Sequence, residues 1–171
     1  MIGCGFVGSA SVFALIQSGL FKEIVLIDAD KNKAEGEAMD ISHGIPFASP
    51  MKIYAGDYDD IGDADVVVNA SGNVELSISG NNRTDEMVFT VDVARQVAVS
   101  IRESGFNGIL INISNPCDVI TSILAEGTRL PRGHVFGTGT GLDTARLLSR
   151  LSIDSGIDAN SITAFMMGEH G

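Results

Sequence analysis

The sequence predicts an α/β fold, in which a doubly wound parallel sheet is followed by the beginning of an α+β domain. Three observations predict it. Short apolar stretches alternate with helical patterns along the 171 residues. The glycine-rich segment 3–8 stands directly before the first helical pattern. The next apolar stretch then ends in an acid, Asp28, 20 residues after Gly8.

Five stretches have the length and composition of strands: 23–28, 51–54, 64–71, 108–113 and 133–136. Val66–Val68 and Ile109–Ile111 are continuous apolar runs, as fully buried parallel strands are. Five helical patterns accompany them: 6–18, 31–42, 85–104, 116–126 and 143–151. In the third pattern, apolar residues recur on one face at Val88, Val91, Ala94, Ala98 and Ile101. Pro116 suits the first turn of the fourth. Segment 71–82 reads as a long loop, a length that is uncommon unless the loop is functional or disordered.

Composition excludes several function classes. The net charge of −11 argues against non-specific binding to nucleic acid or to an anionic membrane. No apolar run approaches the roughly 18 residues of a membrane span, and signal-peptide features are absent. Cys4 and Cys117 lie far apart, outside any metal-ligand pattern, and fit a reducing compartment. We therefore expect a cytoplasmic protein without a metal site.

The glycine segment and Asp28 together predict a Rossmann dinucleotide site. Gly3-Cys4-Gly5-Phe6-Val7-Gly8 is G-x-G-x-x-G, which allows a tight turn and close approach of a pyrophosphate to a helix amino end. Asp28 has the spacing of the acid that binds the adenosine ribose. It can accept hydrogen bonds from a 2′-hydroxyl and would repel a 2′-phosphate, so the sequence favours NAD over NADP.

The strand that should precede the glycines is short in this sequence. Only Met1 and Ile2 stand before Gly3, whereas a strand usually has about five or six residues. In the order 3-2-1-4-5-6 this first strand is central. We therefore expect a truncated first strand, with two inner strand edges that lack a partner.

Polar residues that could take part in catalysis or ligand binding follow in the second half of the chain. Asn115 comes after the fourth predicted strand, at the edge of the sheet where α/β proteins bind ligands. Asp143 and Arg146 are separated by two residues, and His170 lies in Gly168-Glu169-His170-Gly171. Taken together they suggest a carboxylate that orients an imidazole beside a guanidinium that holds an anion.

With these motifs the chain resembles the lactate/malate dehydrogenase superfamily, on its L-2-hydroxyacid dehydrogenase side. The resemblance runs from Gly3 to Gly171. Its strongest blocks are 3–8, 24–28, 56–58, 114–118, 137–140, 142–146 and 168–171. Within that side, segments 71–76 and 103–108 look most like L-2-hydroxyisocaproate dehydrogenases, with L-lactate dehydrogenase close behind.

The resemblance implies roles for the polar residues. His170 would exchange a proton with the substrate oxygen, a task suited to imidazole because its pKa lies near neutrality. Asp143 would fix the tautomer of that imidazole, and Arg146 would clamp the substrate carboxylate with a bidentate fork. Arg83 would close over the site and polarise the substrate carbonyl, and Asn115 would bind the substrate oxygen.

The resemblance also implies a cofactor groove and a specificity position. The cofactor NAD would contact Gly3, Gly5, Val7, Gly8, Asp28, Lys33, Tyr58, Gly72, Asn73, Asn115 and Thr138. Glu75 matches the position that discriminates substrates, and an acid there would repel the second carboxylate of oxaloacetate. Leu76 and Ile78 make this loop apolar, so we expect a small-molecule 2-oxo or 2-hydroxy acid with a branched side chain.

The resemblance divides the chain into an NAD-binding Rossmann domain, 1–137, and the beginning of a substrate domain, 138–171. The family continues beyond the histidine block with the rest of that second domain, which supplies much of the pocket wall and of the subunit contacts. We therefore expect no useful activity from the 171 residues alone, and a homo-oligomer, dimer or tetramer, from the full-length protein.

Three other interpretations stay open. The first is an L-lactate dehydrogenase rather than a branched-chain enzyme. The second is a non-catalytic dinucleotide-binding sensor, which would have no need of His170, Asp143 and Arg146. The third is an NAD-dependent glycosidase of related fold, which segments 142–146 and 168–171 do not suit.

Overall fold

The computed structural model describes residues 1–72, 83–168 and 170, with side chains at all of these except 83–88. In chain order its helices and strands are α1 Phe6–Ser18, β1 Glu23–Leu26, α2 Lys31–Ser42, β2 Lys52–Ala55, β3 Val66–Asn69, α3 Arg83–Glu103, β4 Ile109–Asn112, α4 Cys117–Thr128, β5 Val135–Gly137 and α5 Gly141–Ser155. Short 3₁₀ turns lie at Ile45–Phe47, Tyr58–Ile61 and Ala159–Ser161. The predicted alternation of strands and helices is confirmed.

The strands form two parallel ladders that Ile2 joins. β1 pairs with β2, and β4 lies between β3 and β5. Ile2 makes isolated parallel bridges to Ile27 on one side and to Asn69 on the other. Its N–H donates to the Val68 carbonyl at 2.8 Å. The resulting order is β2, β1, Ile2, β3, β4, β5, which is the doubly wound arrangement.

The expected gap between the two inner strand edges is thus only partial. Gly3 N–H donates to the Ile27 carbonyl at 2.7 Å, and Ala70 N–H donates to the Ile2 carbonyl at 2.7 Å. These bonds satisfy backbone groups that an absent strand would leave bare. The glycine loop is therefore attached to both halves of the sheet.

Each half of the sheet packs its helices on a separate apolar cluster. The first cluster joins α1 and α2 to β1 through Val12, Ile16, Leu26, Ala34 and Ile41. The second joins α3 and α4 to β3 and β4 through Val67, Ala98, Ile101, Leu110 and Leu124. Both sets are apolar residues at helical or strand spacing, so burial of one face fixes each element against the sheet.

Several helix and strand bounds differ from those predicted, whereas those of α1 and α2 agree. α5 is longer than the predicted 143–151, because it continues to a left-handed C-cap glycine, Gly156, with φ 72°. α4 begins one residue after Pro116, which serves as its N-cap and follows a cis peptide bond from Asn115. Of the predicted face on α3, Ala94, Ala98 and Ile101 are buried. The side chain of Val88 lies outside the described residues, as does loop segment 73–82.

Two properties of the described residues bear on function. None of their helices is both long enough and apolar enough to cross a membrane. Within the same residues, no three His, Cys, Asp or Glu side chains gather in a group that could hold a metal ion.

Candidate functional site

The glycine loop leaves the amino end of α1 open to an anion. Gly5 is the N-cap, and no side chain caps this helix end. The first turn also lacks acidic residues. The first N–H groups of a helix have no partner within the helix, and its dipole makes this end positive. A phosphate could therefore bind there by accepting hydrogen bonds from the backbone.

The three glycines of the loop meet different surroundings. Gly3 has φ +92°, and a Cβ at this position would stand 2.6 Å from the Ala70 carbonyl oxygen. A Cβ on Gly8 would overlap the Gly3 carbonyl oxygen. A Cβ on Gly5 would meet no atom within 4 Å. Gly3 and Gly8 are thus required for packing, whereas Gly5 borders open space in front of the helix.

Asp28 holds the glycine loop through its carboxylate. Oδ2 accepts a hydrogen bond from Cys4 N–H at 2.7 Å, and Oδ1 accepts one from Asp30 N–H at 3.0 Å. A carboxylate has about four acceptor positions, so two remain for hydroxyl groups of a ligand. Asp28 is half-buried beside the loop, where a ribose next to the bound phosphate could reach it.

Two other predicted cofactor residues flank Asp28. Lys33 is exposed in the first turn of α2, where its N–H donates to the N-cap Asp30 at 3.3 Å. Tyr58 is half-buried, and burial together with the charges of Asp57 and Asp28 raises the pKa of its hydroxyl to about 12. Tyr58 therefore offers a neutral hydroxyl at physiological pH.

A buried polar network lies at the carboxyl ends of β3 and β4. Asn69 and Asn112 are register partners at the ends of these strands, and both are fully buried. Asn69 Nδ2 donates to Asn112 Oδ1 at 2.9 Å and to Ser114 Oγ at 3.3 Å. Ser71 Oγ donates to Asn69 Oδ1 at 2.7 Å. Each strand end is thus bonded to the loop that follows it and to the other strand.

Predicted residues Gly72, Asn115 and Thr138 are exposed around this network. Gly72 directly follows Ser71, and Asn115 directly follows Ser114. Thr138 follows β5, and its N–H donates to the Asn112 carbonyl at 3.1 Å. The structure therefore places all three at one edge of the sheet.

Asp143, Arg146 and His170 lie together at the start of α5. His170 Nδ1 lies 2.6 Å from Asp143 Oδ2, and Arg146 Nη1 lies 3.4 Å from Asp143 Oδ1. The His170 hydrogen bond, aided by the charge of Arg146, holds the pKa of Asp143 below its usual range. Since Nδ1 is occupied, Nε2 is the ring nitrogen that can face a ligand. The Arg146 side chain is 63% exposed and can receive an anion.

Two threonines bring His170 to α5. Thr140 Oγ1 donates to the Met166 carbonyl at 2.7 Å, and Met166 N–H donates to Thr144 Oγ1 at 3.0 Å. These bonds fix the segment before the histidine against the first turn of the helix. Gly168 then has φ +120°, a conformation that favours glycine, and the chain reaches His170 two residues later.

Some predicted residues cannot be placed. Asn73 and Glu75 lie outside the described residues, and so does the side chain of Arg83, whose backbone begins α3. Conversely, sequence reasoning missed Asn69, Asn112 and Ser114. The signal was a repeated pattern: both strands end in Asn-x-Ser, at 69–71 and at 112–114.

The described residues fit a dinucleotide. The uncapped helix end and the open space at Gly5 can accept a pyrophosphate, and Asp28 has free acceptor positions for a ribose. The carboxyl ends of β3 to β5 complete the crevice in which such sheets bind ligands. When bound there, NAD supplies hydride acceptance and return at its nicotinamide ring.

Comparisons with known proteins agree with this geometry. Residues 1–137 match the family model described as lactate/malate dehydrogenase, NAD binding domain. The chain is 44% identical over all 171 residues to an L-lactate dehydrogenase of Priestia megaterium, covering 53% of that protein. It is 40% identical to L-lactate dehydrogenase 1 of Lactococcus lactis subsp. cremoris, of which it covers 52%. The chain thus spans about half the length of these relatives.

Two solved structures of lactate dehydrogenases are also similar to this chain. A lactate dehydrogenase from a Medee basin deep-sea metagenome library superposes with a TM-score of 0.93 at 42% identity. The minor L-lactate dehydrogenase of Enterococcus mundtii, in a ligand-bound form, superposes with a TM-score of 0.95 at 34% identity. Each comparison covers 99% of this chain and 54% of the other.

Proposed function

Because the chain belongs to the lactate/malate dehydrogenase family, we propose that its full-length gene product is an NAD-dependent L-2-hydroxyacid dehydrogenase. The observation that carries the proposal is the 2.6 Å contact between His170 and Asp143, with Arg146 beside it. A carboxylate, an imidazole and a guanidinium at the edge of a dinucleotide crevice are the groups that this reaction needs.

In this proposal His170 moves the proton. With Nδ1 held by Asp143, His170 Nε2 takes the proton of the substrate hydroxyl during oxidation and returns it during reduction. Asp143 fixes the tautomer and stabilises the imidazolium that forms. The hydrogen bond from His170 lowers the pKa of Asp143, which favours the charged carboxylate.

Arg146 and Asn115 hold the substrate. The exposed guanidinium of Arg146 would bind the carboxylate of the substrate with two parallel hydrogen bonds, a geometry that lysine cannot reproduce. Asn115 would donate to the reacting oxygen from the carboxyl edge of the sheet. Arg83 remains a proposed partner of that oxygen, on the basis of the family resemblance alone.

We propose NAD rather than NADP as the cofactor form. Asp28 presents a carboxylate where a 2′-phosphate would have to lie, and its neighbours Ala29 and Asp30 provide no positive charge. The proposed contacts along the groove are those of the sequence analysis, including Lys33 and Tyr58 near Asp28 and Gly72, Asn73 and Thr138 at the other end.

The relatives favour lactate over a branched-chain substrate. The similar proteins named above are L-lactate dehydrogenases, which supports the alternative interpretation of the sequence rather than the hydroxyisocaproate preference. We therefore propose pyruvate and L-lactate as the substrate pair. The branched-chain argument depended on Glu75, Leu76 and Ile78, which lie outside the described residues.

The decisive experiment follows NADH absorbance with the full-length gene product. We expect oxidation of NADH with pyruvate, at a kcat/KM above that for 4-methyl-2-oxopentanoate. A preference for the larger acid would restore the branched-chain interpretation. Binding of NADH without turnover of any 2-oxo acid would favour the sensor. His134→Gln serves as a matched control for His170→Gln, because the His134 side chain hydrogen-bonds only the Gly108 carbonyl among the described residues.

Four further proposals concern the domains, the assembly, the location and the partners. We propose that residues 1–137 form the NAD-binding domain and that 138–171 begin the substrate domain. We also propose a homo-oligomer located in the cytoplasm, with no nucleic-acid partner. Size-exclusion chromatography with light scattering on the full-length gene product tests the oligomer, and a monomer at micromolar concentration would refute it.

A further inference from the structure

We propose that Asn69, Asn112 and Ser114 are positioning residues, which set the spacing between the two loops that receive the nicotinamide half of the dinucleotide and the substrate. This inference rests on the proposed function and deepens it. All three are buried, so we expect them to touch neither proposed ligand. They act through Gly72 and Asn115, the proposed site residues that follow the network in the chain.

The two amides form a fully satisfied link between neighbouring strands. Asn112 Nδ2 donates to the carbonyls of Ser114 and Cys117 and to Thr121 Oγ1, each at 3.1 Å. Among the described residues, no buried side-chain nitrogen or oxygen lacks a partner. A buried polar network of this kind fixes one arrangement, because any shift leaves a costly unpaired group.

Ser114 connects the two loops directly. Its hydroxyl donates to the Ser71 carbonyl at 2.7 Å, while its N–H donates to Asn112 Oδ1 at 3.2 Å. Ser71 is the residue before Gly72, and Ser114 is the residue before Asn115. One hydroxyl therefore sets the distance between the backbone at Gly72 and the backbone at Asn115.

Asn112 extends the same control to a third loop. Its carbonyl accepts from Thr138 N–H at 3.1 Å, and Cys117 Sγ, 3.9 Å from Asn112 Nδ2, accepts from Gly139 N–H at 3.3 Å. The loops after β3, β4 and β5 thus all connect to Asn112: the first through Asn69, the second through the Asn112 amide and the third through the Asn112 backbone carbonyl. Under this inference, the two buried asparagines at the ends of otherwise apolar strands hold the loops that follow in position.

The sheet geometry limits the effect to one end of the dinucleotide. Asp28 follows β1 in the half of the sheet that contains β1 and β2, where the adenosine would bind. The network belongs to β3 and β4, in the second mononucleotide half. Loosening the network should therefore weaken binding of NADH and leave binding of ADP-ribose unchanged.

The test uses Ser114→Ala in the full-length gene product. We expect the Kd of NADH to rise about three- to tenfold and kcat/KM for the 2-oxo acid to fall about tenfold or more, since small misplacements of binding groups are costly. The Kd of ADP-ribose should stay within about twofold. Ser71→Ala removes a half-buried hydroxyl and its bond to Asn69. This variant should change the two constants in the same direction and should disturb folding less than Ser114→Ala.

Thr128→Val is the matched control. Thr128 is also buried, and its hydroxyl donates to the Leu124 carbonyl at 2.7 Å on the far end of α4. This variant should lose stability without changing either Kd. If Ser114→Ala and Ser71→Ala both retain the parental Kd of NADH and kcat/KM, or lose ADP-ribose affinity in parallel, the inference is wrong while the function stands. If the unmodified protein neither binds NADH nor turns over a 2-oxo acid, the inference and the proposed function are both wrong.

Discussion

The glycine loop allows one substitution to test folding and a neighbouring one to test cofactor binding. Gly8→Ala places a Cβ against the Gly3 carbonyl oxygen, and Gly5→Ala places one in open space. The chemical change is the same in both. We therefore expect Gly8→Ala to destabilise the protein, whereas Gly5→Ala leaves the fold intact and weakens the binding of NADH.

The magnitudes follow from the contacts. The atom that Gly8→Ala would meet is backbone, and Gly3 is itself bonded to Ile27, so neither can move cheaply. Overpacking of this kind costs about 1–3 kcal/mol. Gly5 has φ −77° and ψ −176°, which alanine adopts freely. Gly5→Ala should therefore change the free energy of unfolding of the protein by no more than about 1 kcal/mol, the scale of an N-cap substitution.

The effect of Gly5→Ala on binding comes from the helix end. A methyl group at Gly5 would stand in front of the uncapped N–H groups and keep the pyrophosphate away from them. An anion at a helix end is stabilised by up to about 2 kcal/mol, which corresponds to roughly thirtyfold in affinity.

Denaturant unfolding and NADH fluorescence titration of both variants check this. The reasoning would be refuted if Gly5→Ala bound NADH as tightly as the parent, or if Gly8→Ala were as stable as the parent.

Three further predictions concern single side chains. Asp143→Asn should lower kcat at least about a hundredfold, because the histidine loses the partner that fixes its tautomer; steady-state kinetics checks this. Since the pKa of Asp143 is lowered in the folded protein, its contact with His170 stabilises the fold above the ordinary Asp value of 3.8. That stabilisation is lost as the pH falls through the lower folded value, so Asp143→Asn should be less sensitive to acid unfolding. Asp28→Asn should weaken the binding of NADH about tenfold and raise the ratio of NADPH affinity to NADH affinity. An unchanged ratio in a binding titration would argue against Asp28 as the residue that binds the ribose. Burial raises the pKa of Cys4 to about 11 from 9.0, so iodoacetamide at pH 8 should label Cys4 only after denaturation; mass spectrometry would detect labelling of the native form.

The local signals in the sequence predicted the fold because they agree with the long-range packing. α1 and α2 have the predicted bounds, since Gly5 and Gly19 delimit the first helix and Asp30 caps the second. Three strands, 23–28, 64–71 and 108–113, were predicted too long; Ser71, for example, donates its N–H to the Asn69 side chain and not to a neighbouring strand. A hydrophobic pattern cannot distinguish a paired residue from one that continues the strand direction without a partner.

The sequence predicted the candidate site only where its functional residues lie in short sequence motifs. The glycine segment has a fixed spacing to Asp28, and the histidine block is short and distinctive. The contact between Asn69 and Asn112 joins residues 43 apart, and it depends on the register of β3 with β4. An asparagine at a strand end also suits an ordinary turn, so its sequence signal is weak without knowledge of the register.

The two halves of the sheet hold their edge loops by different chemistry, and burial explains the difference. Asp28 is half-buried, so its side chain can hold the backbone at Cys4 and still offer acceptors to a ligand. Asn69 and Asn112 have no exposed surface, and a carboxylate at either position would carry a large desolvation cost. Neutral amides avoid that cost and provide donors and acceptors for the loops after β3 and β4. The charged group is therefore confined to the half of the crevice proposed for the ribose, where its charge can also select NAD over NADP.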